Sequence, residues 1–131
     1  AWIGRLDLAT GDIEWASAGH NPPYVARAGG ALEQVTGRKS LVLAGYDGIK
    51  YKSNLLKLEK GDRLFLYTDG VTEATATDGS LLGDARLEAA LKDGAGDAEA
   101  CCNRVVEAVD AFAGEAPQAD DITMMAISIA E

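Results

Sequence analysis

Two acidic positions in this sequence have the residue types and the setting of a metal site. Asp69 is followed by Gly70 at the end of an apolar run, and Asp120 and Asp121 stand just before another apolar run. Carboxylate oxygens are the ligands that hard cations such as Mg²⁺ and Mn²⁺ prefer. If the two runs are neighbouring antiparallel strands, the end of one lies beside the start of the other, and Asp69 would meet Asp120 at one edge of the sheet.

The residue pattern leaves a second interpretation open. Asp-Gly is common in plain turns, and two aspartates before a strand can simply be exposed to water. Ionised carboxylates buried near an apolar core would cost on the order of several kcal/mol each without a cation or hydrogen bonds. Gly70 would either let the backbone approach a ligand or serve as a turn glycine. Glu73 would either support the metal ligands from just outside the site or lie on the surface, and the surface is favoured. Spacing alone does not decide between a metal site and exposed turn residues.

The other reactive side chains indicate structural roles. His20 is the only histidine and stands in a loop with Pro22 and Pro23, where we predict a hydrogen-bonding role. Cys101 and Cys102 are adjacent, so they form neither a loop-closing disulfide nor a zinc pattern. We predict that both cysteines lie in a helix and are buried.

The segments before the acidic positions have the patterns of strands. Apolar and polar residues alternate in 2–8 and 13–18, which predicts an antiparallel hairpin with Leu8 on its apolar face. Residues 24–27 and 32–35 flank a glycine turn and predict a second hairpin, because glycine supplies the positive φ that a tight turn needs.

Three further segments are predicted to be extended. Residues 51–58 form the first of them. Residues 64–67 and 122–129 are apolar on both alternating faces, and this pattern is typical of interior strands that are covered above and below. We therefore place the strands that carry Asp69 and Asp120 inside the sheet.

Two helices are predicted between these interior strands. Asp84 is predicted to cap the first, which ends at Asp93 and Gly94, and Asp97 is predicted to cap the second. Apolar residues on the second helix recur every three or four positions and predict a stripe that packs on the sheet: Ala98, Cys101, Val105, Val109 and Phe112. Strands first and helices later are typical of an α+β fold with mostly antiparallel β-sheets packed with helices.

Length and charge limit the classes of function. The 131 residues suffice for one domain with one core. A net charge of −9 argues against a nucleic-acid partner, which needs clustered lysines and arginines. The apolar runs are far shorter than the roughly 20 residues of a membrane span, so we expect no membrane contact by this segment. Without a basic leader before an apolar stretch, the default expectation is a cytoplasmic location.

Three motifs together resemble a known family. Residues 17–23 (SAGHNPP), 61–74 (GDRLFLYTDGVTEA) and 120–123 (DDIT) occur in the order and approximate spacing of the bacterial sporulation-type branch of the protein phosphatase 2C-like family. This stage II sporulation E-like resemblance extends over nearly the whole chain. It implies the family's αββα sandwich, in which two β-sheets lie between helices.

The resemblance also implies a domain boundary and a site. Residues 1–131 would be the C-terminal portion of a single protein phosphatase 2C-like domain, with its N-terminal portion absent. Asp69 and Asp120 match carboxylate ligands of the family and are the implied catalytic and metal-binding residues, with Gly70 and Asp121 as weaker candidates. The implied cofactor is Mn²⁺ or Mg²⁺, two ions in the complete domain. Because the family's metal-bridging aspartate belongs to an earlier motif, the isolated chain is expected to have little or no activity.

The implied activity is that of a metal-dependent protein serine/threonine phosphatase that hydrolyses phosphoserine or phosphothreonine on a regulatory protein. The family suggests an anti-sigma-factor antagonist in a partner-switching pathway as substrate, and an upstream sensor or receiver domain as regulator. The alternative is a non-catalytic phosphatase-like interaction module. Strand edges left without neighbours predict a homodimer.

Overall fold

A computed structural model describes residues 1–38, 40–92 and 96–130 of the chain. Within these residues the chain forms seven strands and three helices. In chain order they are β1 (Trp2–Leu6), β2 (Asp12–Ser17), β3 (Tyr24–Ala26), β4 (Leu32–Gln34), β5 (Asn54–Lys57), β6 (Arg63–Tyr67), α1 (Asp69–Thr72), α2 (Gly83–Lys92), α3 (Ala98–Ala113) and β7 (Met124–Ser128).

The strands form two sheets. Sheet A has the order β1-β2-β5, and sheet B has the order β4-β3-β6-β7. Every strand pairing in the described residues is antiparallel, and both predicted hairpins are present, as β1–β2 and β3–β4. The predicted α+β class with mostly antiparallel sheets is therefore confirmed.

Two apolar layers hold the elements together, and strand β6 contributes to both because successive side chains of a strand point to opposite faces. Between the sheets lie Ile13, Trp15, Val25, Val35, Leu58, Leu64 and Leu66. Between sheet B and the helices lie Tyr24, Phe65, Tyr67, Val71, Ala74, Leu82, Leu87, Leu91, Cys101, Val105 and Val109. The predicted apolar stripe of α3 thus packs on sheet B through Cys101, Val105, Val109 and Phe112. Both cysteines lie in α3 as predicted, but only Cys101 is buried, and Cys102 is half-buried.

Three strand predictions need correction. Leu8 is 88% exposed because β1 ends at Leu6 and the chain already turns. The strand predicted over residues 51–58 is shorter than expected, since only β5 (Asn54–Lys57) forms there. Among the residues that the structure describes, strand β7 lies at the edge of sheet B and not inside it, and its Met125 is 51% exposed. An apolar run shows that both faces can be covered, but it does not show how many strands lie beside it.

The helix predictions were partly correct. Asp97 caps α3 as predicted, because its side chain accepts a 2.9 Å hydrogen bond from the backbone N–H of Ala100. Asp84 lies inside the first turn of α2, which begins one residue earlier, so it does not precede the helix as a cap should. The predicted end at Asp93 and Gly94 lies outside the described residues. No helix in the described ranges has the length and apolar character that crossing a lipid bilayer demands.

Both sheets have edge strands in the described part of the chain. Strands β1, β5, β4 and β7 each have one neighbour there. Unpaired backbone groups along such edges favour pairing with another chain. The homodimer stays a prediction.

Asp62 stabilises the start of strand β6, at the end of sheet B away from Asp69. Its side chain is 4% exposed and accepts hydrogen bonds from the backbone N–H groups of Glu59 (2.9 Å) and Ala28 (3.0 Å) and from the guanidinium of Arg27 (2.7 Å). Burial alone would raise the pKa of this carboxyl group. The three donors outweigh burial and hold the pKa of Asp62 below its ordinary value.

Replacing Asp62 with asparagine should lower the free energy of unfolding at pH 7 by about 2 kcal/mol, because the buried network loses its negative charge and one of its two acceptor oxygens. A carboxyl group with a lowered native pKa contributes stability above its unfolded pKa and loses that contribution as the pH falls through the native pKa. The difference between wild type and Asp62→Asn should therefore shrink at pH 3. Urea unfolding at both pH values measures it.

Asp12→Asn is the matched control, since Asp12 forms an exposed ion pair with Lys57 at 3.6 Å and should change stability little. Equal stability of Asp62→Asn and wild type at pH 7 would contradict the role given to this network.

Candidate metal centre

The first carboxylates of the site come from the turn that follows β6. Thr68 is still extended (φ −90°, ψ 161°), and the chain then enters the short helix α1 at Asp69. The carbonyl oxygen of Asp69 accepts hydrogen bonds from Glu73 N (2.8 Å) and Thr72 Oγ1 (3.2 Å). Because Glu73 follows Asp69 by four residues, one helical turn places both side chains on the same face.

The remaining carboxylate comes from the segment that leads into β7. Strands β6 and β7 are antiparallel neighbours with Tyr67 opposite Met124. The residues after Tyr67 therefore meet the residues before Met124, as the sequence predicted. This register brings Asp120 beside the start of α1.

The hydroxyl group of Thr68 joins these two segments. Its Oγ1 accepts a 3.1 Å hydrogen bond from Thr123 N and lies 3.3 Å from Asp121 O and 3.4 Å from Thr123 O, to either of which it can donate. The backbone N–H of Thr68 also donates to Thr123 O at 3.0 Å. Thr68 thus fixes the spacing between the helix that carries Asp69 and the loop that carries Asp120.

The carboxylates of Asp69, Glu73 and Asp120 converge at this place. Each offers an oxygen, and these oxygens all lie within 4.8 Å of one another. We call them the carboxylate cluster. In the described part of the chain no lysine or arginine forms an ion pair with any of them. Like charges so close together repel one another, and a cation would remove that repulsion.

The structure corrects three details of the predicted site. All three carboxylates are exposed, so the cost of burial is not what calls for a cation here. Glu73, which we expected to be plain surface, belongs to the cluster. The side chain of Asp121 does not belong to it, and this residue instead donates its backbone N–H to Asp120 Oδ1 at 2.7 Å.

Gly70 has a steric role that differs from both of its predicted roles. A Cβ at this position would collide with the carbonyl oxygen of Asp121 and lie 2.9 Å from its carbonyl carbon. The space into which a Cβ would project is therefore filled by the backbone of the 120–122 loop. Only glycine lets α1 lie this close to the loop that carries Asp120.

His20 does not join the cluster. Its Nδ1 lies 2.7 Å from the carbonyl oxygen of Asn21, which is the kind of local hydrogen bond that the sequence suggested. Burial raises the pKa of the thiols of Cys101 and Cys102, so neither is primed as a nucleophile.

The donor set suits a hard divalent cation. Oxygen ligands from carboxylates, with open sides for water or substrate, are what Mg²⁺ and Mn²⁺ take in proteins. Within the described residues, the hydrogen bonds that Asp69 and Glu73 accept go to their backbone oxygens, which leaves both carboxylates open to water or a cation. The residues therefore fit a divalent metal ion.

A cleft of about 190 Å³ adjoins the carboxylate cluster: it is lined by Asp120, which belongs to the cluster, and by Gly70, which follows Asp69. Its other walls come from the end of α3 and the loop that follows, including Val109, Asp110 and Pro117. We call it the α3 cleft.

Comparison with known sequences finds one family along nearly the whole chain. The model of the family described as stage II sporulation protein E matches residues 1–130. Protein IcfG of Synechocystis sp. is 25% identical over 126 residues, which make up 96% of this chain and 20% of IcfG. The chain thus spans one fifth of that relative.

Solved structures show the same fold. The phosphatase domain of the cell fate determinant SpoIIE from Bacillus subtilis, presoaked with Mn, matches with a TM-score of 0.76 at 18% identity, over 100% of this chain and 56% of that chain. The structure of the RsbU and RsbW domains of Rv1364c from Mycobacterium tuberculosis matches with a TM-score of 0.73 at 22% identity, over 95% of this chain and 34% of that chain. The chain therefore spans about half of the first structure and a third of the second.

Proposed function

This chain belongs to the stage II sporulation protein E family, and from that membership we propose that it is part of a metal-dependent protein serine/threonine phosphatase. The observation that carries the proposal is the convergence of Asp69, Glu73 and Asp120 at the end of sheet B. Family membership alone supports the fold and the enzyme class. The convergence adds a place where phosphate chemistry would occur.

In this proposal Asp69 and Asp120 hold Mn²⁺ or Mg²⁺, and Glu73 supplies a further oxygen. A bound divalent cation supplies Lewis-acid stabilisation of phosphate charge and lowers the pKa of water for attack on phosphorus. The chain's own contribution is geometric: Thr68 and Gly70 keep the two ligand-bearing segments at a fixed separation. The exposure of the carboxylates leaves room for a phosphorylated side chain of another protein.

The two-metal site of the family needs a further carboxylate from outside residues 1–131. We propose that these residues form the C-terminal portion of the phosphatase domain, and the 56% coverage of the SpoIIE phosphatase-domain chain supports this. The three carboxylates of this chain would cover only one side of a metal ion and bind it weakly. We therefore expect the isolated chain to have little or no turnover.

The proposed substrate is a phosphoserine or phosphothreonine on a regulatory protein, an anti-sigma-factor antagonist in a partner-switching pathway. The likeness to the RsbU and RsbW domains of Rv1364c supports this class of substrate. An upstream sensor or receiver domain would regulate the activity. The alternative, a non-catalytic interaction module, would need no convergent carboxylates, so the cluster favours the enzyme.

Metal removal tests the proposal directly. The full-length parent protein should hydrolyse an aryl phosphate and a phosphorylated protein in Mn²⁺, lose this turnover in EDTA, and regain it when Mn²⁺ or Mg²⁺ is restored. The reason is that the carboxylates alone provide no nucleophile activated for attack on phosphorus. Residues 1–131 alone should stay near background.

Turnover that persists in EDTA would rule out the metal-dependent mechanism. Equal and robust turnover by residues 1–131 and by the full-length protein would rule out the need for an outside ligand. Binding of a phosphoprotein without any turnover by the full-length protein would favour the interaction module.

A further inference from the structure

The α3 cleft combines an apolar wall with two acidic residues, Asp110 and Asp120. Its apolar wall includes side chains of α3 and of the loops that follow α1 and α3: Ala74, Val109, Ala113, Pro117 and Ile122. Asp110 is the acidic residue at the helix end, and no lysine or arginine is among the described residues that line the cleft. A bound group would therefore meet a nonpolar surface and a negative charge.

The position of Asp110 on α3 is electrostatically unfavourable for a carboxylate. It lies in the last turn of α3, which contains no basic residue. The C-terminal end of a helix carries partial negative charge, so a carboxylate there is unfavourable and a cation is favourable. Within the described residues Asp110 forms no ion pair. The helix end and the carboxylate thus attract the same kind of partner.

A long basic side chain matches both features of the cleft. Lysine and arginine pack their aliphatic stems against apolar surface while the charged head remains solvated or paired. The cleft also adjoins the carboxylate cluster, since Asp120 belongs to both and Gly70, which lines the cleft, directly follows Asp69. A residue in the cleft would be close in sequence to a phosphorylated residue at the cluster.

We propose that the α3 cleft holds a lysine or arginine side chain of the phosphoprotein substrate, a few residues away from the phosphorylated residue. This inference rests on the proposed phosphatase function. It makes Asp110 a specificity-determining residue, while Asp69 and Asp120 serve the reaction itself.

Paired phosphopeptides test the proposal. Each pair carries one phosphoserine and differs only in having lysine or its uncharged isostere norleucine at one position within three residues of it. The full-length protein in Mn²⁺ should prefer the lysine peptide of one pair by about 5-fold in kcat/KM, mainly through KM, as expected for one partly solvated charge pair. Asp110→Asn should bring this ratio close to 1, and Asp110→Lys should favour a glutamate peptide.

Glu107→Gln is the matched control, since Glu107 is exposed on α3 but does not line the cleft. It should keep both the lysine preference and the turnover of an aryl phosphate. No lysine preference at any position, or a preference that survives Asp110→Asn, would overturn the proposal while leaving the phosphatase function intact.

Two further measurements separate the remaining explanations. If no substrate is turned over, the proposed function fails, and fluorescence anisotropy of the labelled lysine and norleucine peptides in Mn²⁺ still decides whether the cleft selects a basic residue. Equal binding of the two peptides would overturn the proposal. The affinity for Mn²⁺ should not change in Asp110→Asn, and a clear loss would reassign the cleft to a metal ion.

Discussion

Replacing Asp69 with asparagine should weaken Mn²⁺ binding by at least about 100-fold. Loss of a residue that only orients a ligand already costs 10- to 100-fold in metal affinity, so loss of a charged ligand should cost more. Titration calorimetry on residues 1–131 measures the affinity, and turnover by the full-length variant should fall to background.

The fold should survive this change, because the Asp69 carbonyl oxygen and not its side chain holds α1 through Glu73 N and Thr72 Oγ1. In EDTA the variant should be as stable as wild type or slightly more stable, since repulsion from Glu73 and Asp120 is relieved. In Mn²⁺ at 100 times its dissociation constant only wild type should gain stability, by about 2.7 kcal/mol.

Two comparisons make the result specific to the cluster. Glu73→Gln should lower the affinity by a smaller factor, about 10-fold, because Asp69 and Asp120 remain. Asp121→Asn should leave the affinity nearly unchanged, since its side chain is not part of the cluster. An Asp121→Asn variant that loses as much affinity as Asp69→Asn would show that the ligands are wrongly assigned.

Gly70→Ala should damage both stability and metal binding. The added Cβ would overlap the carbonyl group of Asp121, and backbone on both sides leaves no flexible side chain to move away. We expect a loss of about 3 kcal/mol in the free energy of unfolding. The 120–122 loop must shift, which moves Asp120 away from Asp69, so Mn²⁺ affinity should fall by about 10-fold or more. Denaturant unfolding in EDTA and calorimetry with Mn²⁺ measure the two effects separately.

Gly29→Ala is the matched control for this prediction. Gly29 does not have a positive φ, and a Cβ there meets no atom within 4 Å. This variant should be as stable as wild type and bind Mn²⁺ equally well. If Gly70→Ala behaves in the same way, the close approach of α1 to the 120–122 loop does not matter for the site.

Local patterns predicted the parts of the fold that depend on short stretches of chain. The glycine turn between β3 and β4, the buried strand β6 and the apolar stripe of α3 all follow from residues close together in sequence. The cap at Asp97 is equally local, since its acceptor and its donor are three residues apart. These features were read correctly because neighbours in the chain determine them.

Glu73 shows what local patterns miss. Helix α1 has four residues, too few to show a repeating apolar stripe, so nothing indicated that Asp69 and Glu73 share one face. The four-residue spacing of Asp69 and Glu73 indicates a shared face only if the segment is already known to be helical. The edge position of β7 was missed for a related reason, because its apolar run does not report how many strands pair with it.

Residue types and order by themselves predicted the α+β class and the oxygen-rich chemistry, and they placed Asp69 beside Asp120 only on the condition that the two apolar strands are neighbours. Only the tertiary structure decided which third carboxylate joins them, that the cluster is exposed, and that Gly70 is needed for the contact between α1 and the 120–122 loop. The physical reason is distance along the chain. Strand register and backbone contact between segments some fifty residues apart arise from packing of the whole sheet, and no single segment encodes them.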